Sequence, residues 1–147
     1  MKPIPSAESA PWNIADGNRD GKPVMLRYRP DLEAFLGDAR YPRRLTILWT
    51  YPCGRSSGLP TDDQFNEMRD FEDLLQAELD RDRTAILAFS RTHAGCRCWT
   101  YYFADKQLLS QQINAALANH PNLPIKLEAE DDSQWTAMRT ILEQCHE

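Results

Sequence analysis

The order of hydrophobic periods from residue 43 onward is the feature that most restricts the fold. Apolar side chains in residues 43–52 (RRLTILWTYP) lie on both faces of a period-two pattern, which indicates a strand in the middle of a sheet. From Thr61 the spacing changes to three and four, which is typical of an amphipathic helix running to about Leu79. Thr61 and Gln64 have the spacing of a capping box, so the helix is predicted to begin there.

The pattern then repeats this change once more. Two β-rich segments, TAILAFSRT and CRCWTYYFA, flank Ala94 and Gly95 and predict a hairpin. Asp105 can cap a second helix, and residues 125–130 (IKLEAE) predict a further strand. The resulting order β-α-β-β-α-β predicts the α+β class and, within it, a ferredoxin-like sandwich with both helices on one side of an antiparallel sheet.

The two ends of the chain are predicted to add to this sandwich. Residues 1–22 are rich in Pro, Ser, Asp, Asn and Gly and are expected to form an N-terminal arm, followed by a single domain over residues 23–147. An extra N-terminal strand, predicted over Pro23 to Arg29, would extend the sheet edge, and a short helical turn is expected over Asp31 to Leu36. Ser133 is predicted to cap a C-terminal helix that covers the remaining apolar surface.

Pairing within the predicted hairpin determines which side chains share a face of the sheet. The pairs expected from a two-residue turn are Ser90 with Trp99, Ala88 with Tyr101, and Ile86 with Phe103. Alternation then places His93, Cys96 and Cys98 on one face and the aromatic side chains of residues 99, 101 and 103 on the other. The second face is expected to line a core or a ligand cleft.

His93, Cys96 and Cys98 form a minority candidate for a metal site, because both sulfurs would lie on one side of the strand. A structural zinc site needs a fourth ligand and usually places ligand pairs two to four residues apart in a turn. The neighbouring sequence does not provide this fourth ligand. We therefore favour small buried thiols and predict no metal and no cofactor.

Composition and charge narrow the classes of partner. The formal net charge is −5 and the pI is near 5.2, so the average field repels nucleic-acid phosphates and anionic membranes. No apolar run is long enough for a membrane span and the first residues lack a secretory signal, which predicts a cytoplasmic protein without a membrane partner. No nucleophile elbow, P-loop, zinc-protease motif or dinucleotide fingerprint occurs, so the sequence indicates no catalytic site.

Short motifs along most of the chain resemble one family. They are Gly58-Leu59-Pro60 before the first helix, Thr92, Gly95, Arg97, Trp99 and Tyr102 in the hairpin, and Asp132 with Trp135 near the end. This set resembles the uncharacterised bacterial family called domain of unknown function six-nine-five. Its C-terminal part is similar to the bacterial regulator of ribonuclease E activity, type B, a small acidic protein that binds another protein, although Met138 stands here where that pattern has an aromatic. The resemblance implies no catalytic residues.

Two hypotheses for function follow. The first is a non-enzymatic protein-binding or regulatory module, which would contact another protein, or a second copy of the chain, through a sheet edge or the loop that contains Gly58. The alternative is a small-molecule binder or an undiscovered enzyme with a cleft on the aromatic sheet face. The candidate contact residues are Arg27, Tyr51, Gly58, Pro60, Arg97, Tyr102 and Trp135.

Overall fold

The strand-forming segments of the sequence form one antiparallel sheet with helices on both faces. A computed structural model of the chain describes residues 3–54 and 56–145. The strands are β1 (Asn13–Arg19), β2 (Lys22–Tyr28), β3 (Arg43–Thr50), β4 (Ala85–His93), β5 (Cys96–Phe103) and β6 (Ile125–Asp131). The α-helices are α1 (Asp62–Arg81), α2 (Lys106–Ala116) and α3 (Thr136–Gln144), and short 3₁₀ turns cover Ala7–Ser9 and Pro30–Phe35. Within the described residues, every helix is too short or too polar to cross the hydrocarbon core of a bilayer.

The sheet has the strand order β1-β2-β4-β5-β3-β6, and every neighbouring pair is antiparallel. Helix α1 connects β3 to β4, which have β5 between them, and α2 connects β5 to β6, which have β3 between them. The α+β class is therefore confirmed. Strand β3 lies between two partners, as its apolar residues on both faces predicted.

Each face of the sheet has its own apolar core. Helices α1 and α2 pack on the face that carries Trp49, Trp99 and Tyr101, which we call the α1 face. Helix α3 and the 3₁₀ turn Pro30–Phe35 pack on the opposite face, which carries Tyr102 and which we call the α3 face. The C-terminal helix thus covers the surface that α1 and α2 leave exposed, since an apolar sheet face is stable only when another layer buries it.

Two predicted helix starts are confirmed in atomic detail. The Thr61 hydroxyl accepts a hydrogen bond from the Gln64 backbone N–H, and the Gln64 side chain accepts one from the Thr61 N–H at 2.8 Å. Asp105 accepts a hydrogen bond from the Leu108 N–H at 3.1 Å. Both caps satisfy backbone donors that the first helical turn cannot pair internally.

The predicted hairpin turn is confirmed, but the register is correct only near it. Ser90 lies opposite Trp99 as expected, whereas a β-bulge at Ala88 shifts the following pairs to Leu87 with Tyr101 and Ala85 with Phe103. The predicted pairing of Ala88 with Tyr101 and of Ile86 with Phe103 is therefore wrong. The Ala88 carbonyl instead accepts a hydrogen bond from the Arg29 N–H at 3.2 Å, just after β2 ends. Because the bulge adds a residue, Ile86 and Ala88 move to the α3 face.

The expectation of an arm over residues 1–22 is wrong for Asn13–Arg19, which forms strand β1. A two-residue turn, Asp20 and Gly21, joins it to β2, and both residues have positive φ as a type I′ turn requires. The strand was missed because its residues are mostly exposed and carry no apolar period. Main-chain pairing with β2 holds β1 in place. Strand β1, and not the predicted strand at Pro23 to Arg29, therefore forms this edge of the sheet.

The prediction that Ser133 caps the last helix is also wrong. Trp135 occupies the cap position in the left-handed conformation, with φ of 55°, and makes no side-chain cap hydrogen bond. The Asp132 carboxylate accepts hydrogen bonds from the backbone N–H groups of Thr136 and Ala137 at 2.7 and 3.3 Å. Asp132 reaches these donors because the left-handed residue turns the chain back over it.

The Asp132 carboxylate also joins α3 to the sheet. It accepts a hydrogen bond from the Tyr102 hydroxyl at 2.9 Å and pairs with Arg44 at 3.0 Å. Burial alone would raise the pKa of the Asp132 carboxyl, but the Thr136 N–H, the Tyr102 hydroxyl, the Ala137 N–H and Arg44 together hold the pKa below its ordinary value. The folded state therefore favours the charged carboxylate.

Asp132→Asn is expected to lower the free energy of unfolding by about 1–3 kcal/mol at neutral pH, because it removes charge-assisted hydrogen bonds from a buried site. Because the folded pKa is depressed, this contribution is fully present above the pKa of an unfolded aspartate, about 4, and is lost as pH falls through the folded value. Urea unfolding at several pH values measures it. The exposed neighbour provides the control, Asp131→Asn; equal losses in both variants, or a difference independent of pH, would contradict this account.

Candidate functional site

The candidate contact residues lie in three separate places. Arg27 and Arg97 meet on the α1 face, where both approach Glu72. Tyr51, Gly58 and Pro60 belong to the loop between β3 and α1, and Tyr102 and Trp135 lie on the α3 face. The structure therefore brings together only Arg27 and Arg97 around open space.

Tyr102 and Trp135 form part of the packed core of the α3 face. Their rings stack with centroids 4.3 Å apart and an angle of 9° between planes, and neither residue is accessible to solvent. The Trp135 indole N–H donates to the Tyr41 carbonyl at 2.8 Å. These contacts hold α3 against the sheet, so the Asp132 and Trp135 motif has a structural part in this chain.

The loop between β3 and α1 is fastened to the β4–β5 hairpin turn. The Tyr51 hydroxyl donates to the Gly58 carbonyl at 2.7 Å, and the same carbonyl accepts the Gly95 N–H at 3.1 Å. The Tyr51 N–H donates to the Gly95 carbonyl at 2.9 Å. Pro60 is buried just before the capping residue Thr61. The loop that was a candidate contact surface thus uses these residues for its own attachment.

The three residues of the minority metal prediction do not converge as a ligand set. The His93 Nε2 lies 3.0 Å from the Arg19 carbonyl oxygen, while the sulfurs of Cys96 and Cys98 are 3.8 Å apart. Burial and the neighbouring Cys96 raise the pKa of the Cys98 thiol to about 12, which opposes the thiolate that metals bind. Over residues 3–54 and 56–145, no three His, Cys, Asp or Glu side chains are grouped closely enough to hold a metal ion.

Glu72 is the central residue of the α1 face and was not among the candidate residues of the sequence analysis. Its residue is 7% exposed, and its carboxylate faces the sheet. The missed signal is its spacing: Glu72 follows Met68 by four residues and precedes Leu75 by three, which puts it on the buried stripe. A carboxylate at such a position must find partners across the interface.

Arg27 and Trp99 are the main partners of Glu72. Arg27 reaches from β2 and places its Nη1 atom 3.0 and 2.9 Å from the two carboxylate oxygens. The Trp99 indole N–H donates to the same carboxylate from β5 at 2.7 Å. The Arg27 guanidinium also lies 4.1 Å from the centre of the Trp12 ring, a cation–π contact that anchors the N-terminal segment. Two strands thus converge on one carboxylate, and the N-terminal segment packs on one of its partners.

Arg97 is the less satisfied cation of the group. Its side chain is 11% exposed, yet its Nη2 atom lies 3.6 Å from the nearest Glu72 oxygen, which is longer than a hydrogen bond. Its Nε is buried without a hydrogen-bond partner in the part of the chain that the structure describes. Burial lowers the pKa of Arg97, against the opposing effect of Glu72 and with a further contribution from Arg27.

Two further side chains near Glu72 carry buried polar atoms without protein partners in the described ranges. They are both amide atoms of Gln76, one turn along α1, and the Tyr101 hydroxyl on β5. Burial raises the pKa of Tyr101, and the nearby Glu72 charge adds to the effect, so the hydroxyl stays protonated and able to donate. Buried polar groups in folded proteins are nearly always hydrogen-bonded, so each of these atoms lacks a partner that an ordered water or another polar group would supply.

Two adjoining cavities lie beside Gln76 and Arg97. The Arg97 cavity, of about 390 Å³, is lined by Arg27, Phe65, Asn66, Arg69, Glu72, Asp73 and Arg97. The Gln76 cavity, of about 740 Å³, is lined by Gln76, Trp12, Leu87 and ten other residues of α1, β2 and the N-terminal segment. Both share Arg27, Glu72 and Asp73, and we call the pair the Glu72 site. Its guanidinium and amide groups are suited to binding, because an arginine keeps its proton and only donates.

Glu72→Gln is expected to lower the free energy of unfolding by about 3 kcal/mol, because the nearly buried Arg97 and the half-buried Arg27 lose their counter-charge. The value is at the low end for a buried pair, since the Arg27 side chain is 32% exposed. Chemical denaturation followed by tryptophan fluorescence gives the measurement. Asp73→Asn, at the exposed next position, serves as the matched control and should change little; a loss below about 1 kcal/mol in Glu72→Gln would refute this assignment.

Gly58→Ala is expected to destabilise the fold by about 2 kcal/mol, through backbone strain and overpacking. Gly58 has a φ of +76°, and a Cβ there would lie 2.8 Å from the Ala94 Cα, a backbone atom that cannot move aside freely. Thermal and urea unfolding report the change. In the same loop Gly54 has open space around it, so Gly54→Ala should stay within about 0.5 kcal/mol of the wild type. Similar values for the two variants would mean that the loop is not held at Gly58.

Comparison with known proteins gives a family and no function. A family model described as a family of unknown function (DUF695) matches residues 10–142, which includes all six strands and all but the end of α3. No curated protein matches the chain. The predicted likeness to the regulator of ribonuclease E activity receives no support from this match and stays a prediction. On a match that covers nearly its whole length, the chain belongs to the DUF695 family of unknown function.

Proposed function

We propose that this chain is a binding protein that holds a small polar molecule in the Glu72 site. The observation that carries the proposal is the set of buried polar atoms around that site that find no partner among the described residues, above all Arg97 Nε and the Gln76 amide. Leaving such a group unpaired costs about 1–3 kcal/mol, so a ligand or ordered water that pairs with it is favoured. This is the small-molecule alternative of the sequence analysis, with Arg27 and Arg97 retained as contacts.

The shape and walls of the site support a small ligand. The volumes of the two cavities fall in the range of small-molecule pockets. The walls are mostly polar and charged, with the apolar surfaces of Trp12, Phe65 and Leu87 among them. Glu72, Gln76 and Arg97 are attached to a helix and to a strand rather than to loops, so their positions are set before a ligand arrives. Such pre-organisation lowers the cost of binding.

Native mass spectrometry of the purified chain tests the proposal. The wild type is expected to carry a small molecule that denaturation releases, and Gln76→Leu to lose most of it because the amide no longer offers hydrogen bonds. Gln111→Leu, on the exposed side of α2, is the matched control and should retain it. Circular dichroism establishes that both variants fold. A wild type that shows only the mass of the bare chain, and that no small molecule in a metabolite screen stabilises against heat, would falsify the proposal.

A second candidate is the protein-binding or regulatory module, favoured by the exposure of β6. This edge strand has six of its seven residues exposed, and Leu127 is 45% exposed. An unpaired strand edge can receive an extended segment of another protein by main-chain pairing. Its acidic residues Glu128, Glu130 and Asp131 would suit a basic segment.

Capture of partners with a tagged chain tests this second candidate. Leu127→Lys is expected to lose a stoichiometric partner that the wild type retains, whereas Leu74→Lys, an equally apolar and similarly exposed position on α1, should keep it. Retention of the partner by both variants would exclude the β6 edge as its binding surface.

We further infer that the unit from β3 to β6 has the ferredoxin-like arrangement. The inference is supported by the antiparallel order β4-β5-β3-β6 and by the two helical connections that each pass over one intervening strand. In this arrangement β1 and β2 extend one edge, and the Glu72 site lies where that extension meets α1. The β1–β2 pair therefore contributes Arg27 to the wall of the site, and the β3 to β6 unit provides the α1 and β5 residues.

A further inference from the structure

We propose that the Arg97 cavity binds an oxyanion, the carboxylate or phosphate group of the ligand, with Arg97 as its main contact and Arg69 as a second. This inference rests on the proposed function, because it describes one end of the molecule held in the Glu72 site. It assigns the chemical class of the ligand and the residues that recognise its charge.

The balance of charge singles out the Arg97 cavity. Its lining includes three arginines, Arg27, Arg69 and Arg97, against two carboxylates, Glu72 and Asp73. The adjoining Gln76 cavity has the opposite excess, with three arginines against four carboxylates. A negatively charged group therefore gains most at the Arg97 end, and low local dielectric strengthens that preference.

The state of Arg97 shows what is missing. Arg27 donates to both oxygens of the Glu72 carboxylate. The same carboxylate is the nearest counter-charge of Arg97, but its oxygen lies 3.6 Å from Arg97 Nη2. A buried charge is costly unless it is paired and hydrogen-bonded. An oxyanion facing the two terminal nitrogens of Arg97 would accept two parallel hydrogen bonds, the geometry in which arginine binds carboxylates and phosphates most strongly.

Neighbouring side chains hold the Arg97 guanidinium in place for this contact. It lies 5.2 Å from the centre of the Trp99 ring, and the Trp99 indole is itself fixed by its hydrogen bond to Glu72. Arg97 is thus supported from behind by a buried aromatic residue. A guanidinium that is already ordered loses little side-chain entropy when it binds an anion.

Arg69 supplies a second cation, which is not paired with another described residue. It lies one turn before Glu72 and Asp73 on α1 and lines the same cavity. The hydrogen bonds and ion pairs found among the described residues do not include it. Being exposed, it can approach an anion at the mouth of the cavity, while Arg97 contacts the same anion from the buried side.

Phosphate titration at constant ionic strength provides the experiment, with acetate as the carboxylate probe and chloride to balance the salt. The Nε–H signal of Arg97 in a ¹⁵N–¹H spectrum is expected to shift on addition of phosphate or acetate in the wild-type chain. Arg97→Gln should weaken binding by about tenfold or more and Arg69→Gln by about threefold, as expected for loss of charge-assisted hydrogen bonds. Arg43→Gln, an exposed arginine on β3, is the matched control and should bind like the wild type.

Arg97→Lys separates a binding role from a folding role, because it keeps the charge and loses the two-pronged geometry. It should fold with a melting temperature near that of the wild type and still bind phosphate several-fold more weakly. Unchanged phosphate and acetate affinities in Arg97→Gln, or an Arg97 Nε–H signal that neither anion moves, would overturn the inference. If native mass spectrometry then shows that Gln76→Leu loses a neutral molecule, the oxyanion assignment fails and the proposed binding function stands. If neither measurement shows a ligand, both the oxyanion assignment and the proposed function fail.

Discussion

A carboxylate buried between a helix and a sheet must find partners there, and this requirement organises the α1 face. Glu72 meets it with Arg27 from β2 and the Trp99 indole from β5, and Arg27 in turn packs on Trp12. These contacts connect the N-terminal segment, the hairpin edge and α1 in one network. The same network leaves Arg97 buried with a long ion-pair distance, so the interaction that stabilises the interface also creates the open site beside it.

The two faces of the sheet deal with polar groups in different ways. On the α3 face, Asp132 is surrounded by donors from Tyr102, Arg44 and the start of α3, and the stacked Trp135 excludes solvent. On the α1 face, polar atoms around Glu72 remain without protein partners in the described residues. A closed network suits a structural role, and an incomplete one suits binding. The network of Asp132 and Trp135 belongs to the first kind.

Much of the fold could be predicted, but only about half of the site. Arg27 and Arg97 were predicted as contacts because they lie beside an aromatic strand face, and they do meet. Glu72 was missed because acidic residues surround it on α1, which hides its place on the buried stripe. Tyr102 and Trp135 were predicted as ligand or partner contacts, whereas the structure stacks them in the core, an arrangement that sequence pattern could not tell from a binding contact.

The sequence by itself determined the elements that depend on neighbours along the chain. The capping box at Thr61, the turn at Ala94 and Gly95 and the alternation in β3 involve residues only a few positions apart, so their physics is local. Only the tertiary structure decided that Asn13–Arg19 is a strand and that Glu72 lies between Arg27 and Arg97. It also decided that a bulge at Ala88 changes which face of the sheet the first side chains of β4 occupy. Each of these depends on main-chain or charged groups from distant segments, whose partners are set by packing and not by local period.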